Sequence, residues 1–142
     1  MDETCIFCRI VAGVASAHQV FEDDEVLAFM DHRPLNPGHV LVIPKWHEPD
    51  LHCLDEPTYL AVMKTGKRLA EVLAELFEPP KVGQFVIGFH VPHVHVHVHV
   101  VPLYSIDDFT ADAIRLAMQT RPDQDALAEV GQRIREHLLR AR

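Results

Sequence analysis

Residues 90–102 read HVPHVHVHVHVVP, and the strict alternation of histidine with valine in this run constrains the fold more than any other feature of the chain. Side chains along a β-strand point alternately to opposite faces, so the run predicts a strand with a valine face and a histidine face. We expect the valines to pack beneath a helix and the imidazoles to line the other face, ~6.6 Å apart. The valine face holds Val94, Val96, Val98 and Val100, and the histidine face holds His93, His95, His97 and His99.

Neither a solvated strand face nor an affinity tag is a good explanation of the histidine face. Polar strand faces usually carry Thr, Lys, Glu or Ser, and tags stand at a terminus, whereas this run is internal. A row of neutral imidazoles can ligate a metal ion, or it can perform nucleophilic and acid–base chemistry on phosphate. The run alone leaves both functions open.

Apolar patterns in the rest of the chain predict an α+β fold, an antiparallel five-stranded sheet with one main helix packed across it and a C-terminal helix. A short helix in CIFCRIVAG ends near Gly13, the main helix runs from about Asp55 to Phe77, and the last runs from roughly Asp125 to Leu139. A turn near His90 to Pro92 joins the last two strands. The predicted strands are QVFE, VLAFM, HVLVIP, GQFVIGF and VHVHVHVV.

Composition excludes several classes of function. The 142 residues suit one domain, and we expect a cytoplasmic protein because we find neither a bilayer-spanning apolar run nor a signal-like segment. The formal net charge of -8 argues against binding of nucleic acid or of an anionic membrane. A small phosphorylated ligand remains possible, because histidines and backbone amides can make a pocket locally positive.

Four blocks of the chain resemble the histidine triad (HIT) family of nucleotide hydrolases and transferases. His95-Val-His97-Val-His99-Val-Val-Pro102 is similar to the family signature of three histidines alternating with hydrophobic residues. The other blocks are similar to segments of many bacterial members and occur in family order: CIFCRIVAG from Cys5, VLAFMD from Val26 and GHVLVIPKWH from Gly38. The resemblance implies a single HIT-like domain over residues 1–142, with a core of about 5–104 and a C-terminal extension of 105–142. It also implies a homodimer.

The resemblance also implies a mechanism and its residues. The middle histidine of the triad, His97, attacks the α-phosphorus of a nucleotide, and water then cleaves the nucleotidylated histidine. His99 hydrogen-bonds phosphate oxygens or the departing group, while His39 orients the triad together with His95. Asp31 holds the ribose hydroxyls, unless it is a solvated carboxylate at a strand end. Apolar side chains sandwich the base: Phe7, Phe29 and Ile43.

The triad itself can be aligned in two registers. Most members carry Gln-Ser/Thr-Val before the triad, where this chain has Val91-Pro92-His93-Val94. Counted back from Pro102, the triad is His95, His97 and His99, and we prefer this register because only His99 precedes two hydrophobic residues and proline. Counted from Gly88, it is His93, His95 and His97.

Two of the three cysteines, Cys5 and Cys8, form a metal or thiol pair rather than a disulfide framework. By the same resemblance, zinc-bearing relatives join such a pair to a histidine after Pro-Lys and to the first triad histidine. This implies a structural zinc held by Cys5, Cys8, His47 and His95, a ligand set that Zn²⁺ prefers. A pair of free thiols is the alternative.

The sequence therefore favours an enzyme that binds a small nucleotide substrate. The expected reaction is hydrolysis or transfer at the α-phosphate of a nucleoside phosphoramidate or of a dinucleoside polyphosphate. The alternative is a non-catalytic metal-binding protein that uses the histidine strand as a chelator.

Overall fold

The computed structural model describes residues 2–89 and 95–140. Five strands form one antiparallel sheet in the spatial order β1-β2-β3-β5-β4, which confirms the predicted α+β fold. The strands are β1 (Gln19–Glu22), β2 (Val26–Met30), β3 (Val40–Pro44), β4 (Lys81–Phe85) and β5 (Val98–Leu103). The described helices are α1 (Ile6–Val11), α2 (Glu56–Phe77), α3 (Ala111–Gln119) and α4 (Gln124–Arg140), with 3₁₀ turns at Leu51–Cys53 and Ile106–Phe109.

One face of the sheet packs against α2, as the valine periodicity predicts. Asp55 caps this helix by accepting a hydrogen bond from the Thr58 backbone N–H, and Pro57 stands in its first turn, where its missing N–H is tolerated. The buried side of α2 meets Val98 and Val100 of β5 in the main core, and α4 closes the same core at the β1 end. The core residues contributed by the two helices are Val62, Leu69, Val72, Leu73, Leu127, Ile134 and Leu138.

The opposite face of the sheet is covered by α1, so its histidines are not solvated. Cys5 caps α1, and the buried side of this short helix packs against the outward-facing side chains of β2 and β3. The buried residues of this second core are Cys5, Phe7, Cys8, Ile10, Leu27, Phe29, Leu41 and Ile43. Helix α1 therefore covers His95 and His97, whose ring centroids lie 6.0 and 4.8 Å from that of Phe7.

The structure differs from the predicted elements at the histidine strand and beyond it. Strand β5 begins at Val98, and before it the Val96 N–H bonds to the carbonyl of Glu48 at 2.7 Å instead of to a sheet neighbour. The sheet pairing of β5 with β3 ends at Val42↔Val98. The predicted turn near His90 to Pro92, with His93 and Val94, lies outside the described residues.

Helix α3 was not predicted, because none of its residues is buried and its apolar side chains leave no core pattern. Within residues 2–89 and 95–140, no helix has the length and apolar character needed to cross a bilayer.

Candidate functional site

Two cysteines and two histidines meet where α1 lies across the ends of β3 and β5. Cys5 and Cys8 come from the first turn of α1, His47 follows β3, and His95 precedes β5. The Cys8 Sγ is 3.2 Å from the His47 Nδ1 and 3.6 Å from the His95 Nδ1, which is 3.5 Å from the Cys5 Sγ. All four ligand atoms lie within 4.8 Å of one another. We call these residues the Cys–His cluster.

The hydrogen bond on the other ring nitrogen of His95 prepares that residue to bind a metal ion. Its Nε2–H donates to the carbonyl of Pro44 at 2.9 Å, so the lone pair on Nδ1 faces the two sulfurs. Burial lowers the pKa of His95 to about 4, which keeps the ring neutral. Burial also raises the pKa of the Cys8 thiol, and a bound cation would reverse that effect by favouring the thiolate. Two sulfurs and two imidazole nitrogens, one with a carbonyl behind it, fit a structural Zn²⁺.

A second polar cluster, Asp31 with His39 and His99, lies further along the same face. The backbone N–H of Leu35 donates to the His39 Nδ1 at 3.0 Å, so the neutral ring of His39 carries its proton on Nε2. That Nε2–H donates to the His99 Nδ1 at 2.9 Å, which places the proton of a neutral His99 on its own Nε2. Burial lowers the pKa of His39, although the Asp31 carboxylate opposes the shift. We call these residues the Asp–His cluster.

Asp31 turns toward the histidines of this cluster. Its Oδ2 lies 3.4 Å from the His39 Nε2 and 3.9 Å from the His99 Nδ1, and its Oδ1 accepts the Arg33 backbone N–H at 2.8 Å. Only 12% of its side chain is exposed, so Asp31 is not a solvated carboxylate. Its predicted contact with a ribose stays a prediction.

His97 lies between the two clusters and is also buried. Its Nδ1–H donates to the carbonyl of His95 at 3.3 Å, which leaves the basic lone pair on Nε2. Its ring centroid is 4.8 Å from that of Phe7 and 4.9 Å from that of His99. An imidazole nitrogen with a basic lone pair, on His97, and an imidazole with a proton on Nε2, that of His99, are therefore neighbours.

The three apolar residues predicted to sandwich a base pack together beneath α1. The rings of Phe7 and Phe29 are 5.7 Å apart, and Ile43 is fully buried in the same cluster. The Ile43 side chain is fully buried, and its predicted contact with a base stays a prediction. Phe7 borders His97 and is the best placed of the three to meet a ligand.

The sequence did not predict two contacts of the Asp–His cluster, the stack of Phe85 on His99 and the hydrogen bond from the Leu35 backbone to His39. Phe85, paired with His99 across the β4–β5 ladder, stacks on the imidazole at 4.7 Å with 12° between the planes. Phe109 in turn contacts Phe85, with 4.4 Å between centroids. The Leu35 N–H is a backbone group, so no residue type could indicate it.

Comparison with family models matches the HIT domain to residues 12–106 of the chain. The chain belongs to the HIT family. The match includes both histidines of the Asp–His cluster, whereas Cys5 and Cys8 precede it and most of the C-terminal extension follows it.

Relatives of this HIT protein come from archaea and eukaryotes as well as bacteria. An uncharacterized HIT-like protein of Methanocaldococcus jannaschii is 38% identical over 107 residues, which cover 72% of this chain and 81% of the relative. The adenosine 5'-monophosphoramidase of Saccharomyces cerevisiae is 30% identical over 103 residues, which cover 72% of this chain and 64% of the relative.

Solved structures of HIT proteins extend the likeness over most of the chain. A Zn-bound histidine triad family protein from Mycobacterium smegmatis has a TM-score of 0.77 and 31% identity, covering 96% of this chain and 94% of its own. A HIT-like protein from Bartonella henselae has a TM-score of 0.81 and 27% identity, and the match covers 96% of this chain and 98% of the Bartonella chain.

Proposed function

We propose that this HIT protein is a nucleotide hydrolase or transferase that cleaves at an α-phosphate through a nucleotidylated His97. One observation carries the proposal: the lone pair of His97 lies on Nε2, next to His99, whose Nε2 bears a proton. Displacement at phosphorus requires a nucleophile, and a neighbouring hydrogen-bond donor stabilises the charge that develops on the leaving group and on the phosphate oxygens. Of the two triad registers, this arrangement supports the one formed by His95, His97 and His99.

In the first step, the His97 Nε2 attacks the α-phosphorus and forms a phosphorus–nitrogen bond. The bond from phosphorus to the leaving group breaks with its electron pair on the leaving nitrogen or oxygen. Water protonates that atom, and the neutral His99 donates its Nε2–H to it as a hydrogen bond. The His99 Nδ1 still accepts from the Nε2–H of His39, which burial keeps neutral, so the imidazole of His99 keeps its orientation as the leaving group departs.

In the second step, water attacks the nucleotidylated His97 and the phosphorus–nitrogen bond breaks. The water gives up a proton to solvent, the His99 Nε2–H hydrogen-bonds a phosphate oxygen, and His97 leaves with the electron pair of the broken bond. The products are the nucleoside monophosphate and the restored imidazoles. The substrates we propose are nucleoside phosphoramidates or dinucleoside polyphosphates. The name of the yeast relative supports the first class.

We further propose that the Cys–His cluster holds a structural zinc ion. Cys5, Cys8, His47 and His95 would ligate it and leave no open position, so the metal would take no part in the reaction. Zinc would tie the N-terminal helix to the strands that carry His39 and His97. The Zn-bound relative from Mycobacterium smegmatis supports this proposal.

A purely metal-binding function for the histidine strand has less support. Of the three described strand histidines, only His95 directs a nitrogen toward the cysteines, while His97 and His99 hydrogen-bond a carbonyl and His39. A chelating row would instead direct several nitrogens to a common point.

We also propose a cytoplasmic homodimer. In the described sheet β4 is an edge strand, so a second copy could pair with it or pack beside it. Tyr59 and Leu60 expose apolar surface on α2, the helix that the family resemblance places at the interface. Analytical ultracentrifugation would give the mass of the species in solution.

The test is to trap the intermediate and locate it. Protein quenched in acid-free denaturant during turnover of a nucleoside phosphoramidate should gain the mass of one nucleoside monophosphate. Peptide mass spectrometry should place this mass on His97. If turnover proceeds and no histidine is ever modified, the covalent mechanism is wrong.

A further inference from the structure

The 3₁₀ turn Ile106–Phe109 contacts two neighbours of the Asp–His cluster, Asn36 and Phe85, although the family match ends at residue 106. One contact runs through Asp108 to the loop that precedes His39. The other runs through Phe109 to the ring that stacks on His99. Both begin in residues that belong to the C-terminal extension rather than to the triad.

Asp108 holds the loop before His39 through the side chain of Asn36. The Asp108 Oδ2 accepts the backbone N–H groups of Tyr104 and Ser105 at 2.7 and 3.2 Å, and these bonds lower its pKa. The same oxygen accepts the Asn36 Nδ2 at 3.2 Å, and that amide also donates to the Pro102 carbonyl at 2.9 Å. Asn36 is thereby fixed to the end of β5 and to the turn.

The backbone around Asn36 determines which nitrogen of His39 carries the proton. The Asn36 carbonyl accepts the His39 backbone N–H at 3.1 Å, and the neighbouring Leu35 N–H donates to the His39 Nδ1. Displacing this short segment would remove the donor that keeps the proton of His39 on Nε2. His99 would then lose the hydrogen bond that keeps its own proton on Nε2.

Phe109 acts on the other side of the pair by supporting Phe85. The Phe85 ring lies between Phe109 and the imidazole of His99, nearly parallel to the imidazole. An aromatic face restricts the rotation of the imidazole and stabilises it when it is protonated. The titratable groups that face His99 are His39, Asp31 and His97, and Phe85 is the uncharged neighbour from β4.

We propose that Asp108 and Phe109 are positioning residues for the His39–His99 pair, through Asn36 and through Phe85. Neither touches the reacting atoms. The inference rests on the proposed function in that it assigns His99 the role of hydrogen-bond donor to the reacting phosphate and its leaving group. The C-terminal turn would then be part of the working site.

The experiment compares Phe109→Leu and Asn36→Ala with Ile106→Ala, which changes an exposed residue of the same turn. Long-range ¹H–¹⁵N spectra of the imidazoles report which nitrogen carries the proton. Wild type and Ile106→Ala should show His39 and His99 protonated on Nε2, and Asn36→Ala should show mixed tautomers. Phe109→Leu should keep the tautomers and lower the His99 pKa by about half a unit, because the stabilised imidazolium loses its support.

Kinetics give a second readout. Asn36→Ala and Phe109→Leu should lower kcat about 3- to 10-fold with KM nearly unchanged, because orientation rather than binding is affected. Phe109→Tyr, which keeps the ring, should restore most of the loss. Circular dichroism and thermal unfolding would identify a variant that does not fold, and Asp108→Asn, which keeps an acceptor oxygen, then replaces Asn36→Ala with a smaller expected shift.

Unchanged imidazole spectra in both variants, or equal changes in Ile106→Ala, would overturn the positioning role. The spectra need no substrate, so their outcome is independent of whether His97 forms a covalent intermediate. Absence of the intermediate in wild type, with the tautomer shifts present, would reject the proposed function alone.

Discussion

The Cys–His and Asp–His clusters lie on one face of the same sheet and consist of residue types that bind metal ions, yet their hydrogen bonds suit them to different chemistry. In the Cys–His cluster, His95 donates its Nε2–H to the Pro44 carbonyl, so Nδ1 offers a lone pair to a metal. In the Asp–His cluster, the Leu35 N–H occupies the His39 Nδ1, so Nε2 carries a proton that a metal would have to displace. The Pro44 carbonyl, an acceptor, and the Leu35 N–H, a donor, therefore determine which ring nitrogen carries the proton in each cluster.

The ionisable groups of the two clusters also suit them to different chemistry. The thiols of the Cys–His cluster gain from a cation, because burial disfavours the thiolate of Cys8 without one. In the Asp–His cluster the carboxylate of Asp31 lies beside the imidazoles of His39 and His99. These differences support the proposal that the first cluster binds a metal ion and that the second holds His99 for hydrogen bonding to the reacting phosphate.

The largest expected effect separates His97 from His95. His97→Ala removes the nucleophile and should lower turnover at least about 1,000-fold while leaving zinc content unchanged. His95→Ala removes a zinc ligand, so zinc content and the unfolding temperature should fall, and activity should fall as a consequence. His52→Ala, an exposed histidine, is the control for both. The measurements are single-turnover kinetics and metal analysis, and a covalent adduct on His95 would favour the rival register of His93, His95 and His97.

The next effect concerns stability. Cys8→Ser should abolish stoichiometric zinc binding and lower the free energy of unfolding by about 2 to 5 kcal/mol, because the ligands join distant segments. Cys53→Ser is the matched control, since Cys53 is exposed and outside the Cys–His cluster. Urea denaturation of untagged protein, with and without chelator, would measure the difference. Equal stability of the two variants, both with zinc bound, would contradict the assignment.

The smallest effect concerns pH and the histidines that the clusters bury in neutral form. Burial lowers the pKa values of His39 and His95, so the unfolded chain binds protons below about pH 6.5 that the folded chain does not. Stability of the metal-free protein should therefore fall as the pH drops from about 6.5 toward 4, by up to about 1.4 kcal/mol per pH unit for each histidine. His39→Gln should make this slope shallower, and His32→Gln, at an exposed position, should not. Identical slopes in wild type and His39→Gln would mean that His39 binds protons equally in the folded and unfolded states, which would contradict its lowered pKa.

Residue types predicted the faces of the sheet better than its hydrogen bonds. The alternation of histidine with valine correctly predicted that Val98 and Val100 lie in the core beneath α2, since that inference needs only the two-residue period of a strand. It did not predict that the chain leaves the sheet before Val98, where the Val96 N–H bonds to Glu48 and His95 takes the Pro44 carbonyl. Such contacts depend on tertiary structure.

The two clusters also differ in how much of each could be predicted from the sequence. The convergence of Cys5, Cys8, His47 and His95 followed from the family resemblance, and the structure brings all four together. The tautomer of His39 depends on a backbone N–H, and the stack on His99 depends on the pairing of Phe85 across β4 and β5. The tautomer and the stack cannot be derived from one stretch of sequence, because each depends on how two parts of the chain are placed in the fold.

Zinc-edge X-ray absorption on untagged protein, combined with metal analysis, tests the contrast between the two clusters most directly. One zinc per chain with two sulfur neighbours at about 2.3 Å and two nitrogen neighbours at about 2.0–2.1 Å is the expected result, because the Cys–His cluster contains two cysteines and the Asp–His cluster contains none. The same shell should persist when zinc is added in excess and weakly held metal is washed away. A zinc ion bound only by nitrogen and oxygen, or a second tightly held zinc in the Asp–His cluster, would contradict the proposal that one cluster binds metal and the other takes part in catalysis.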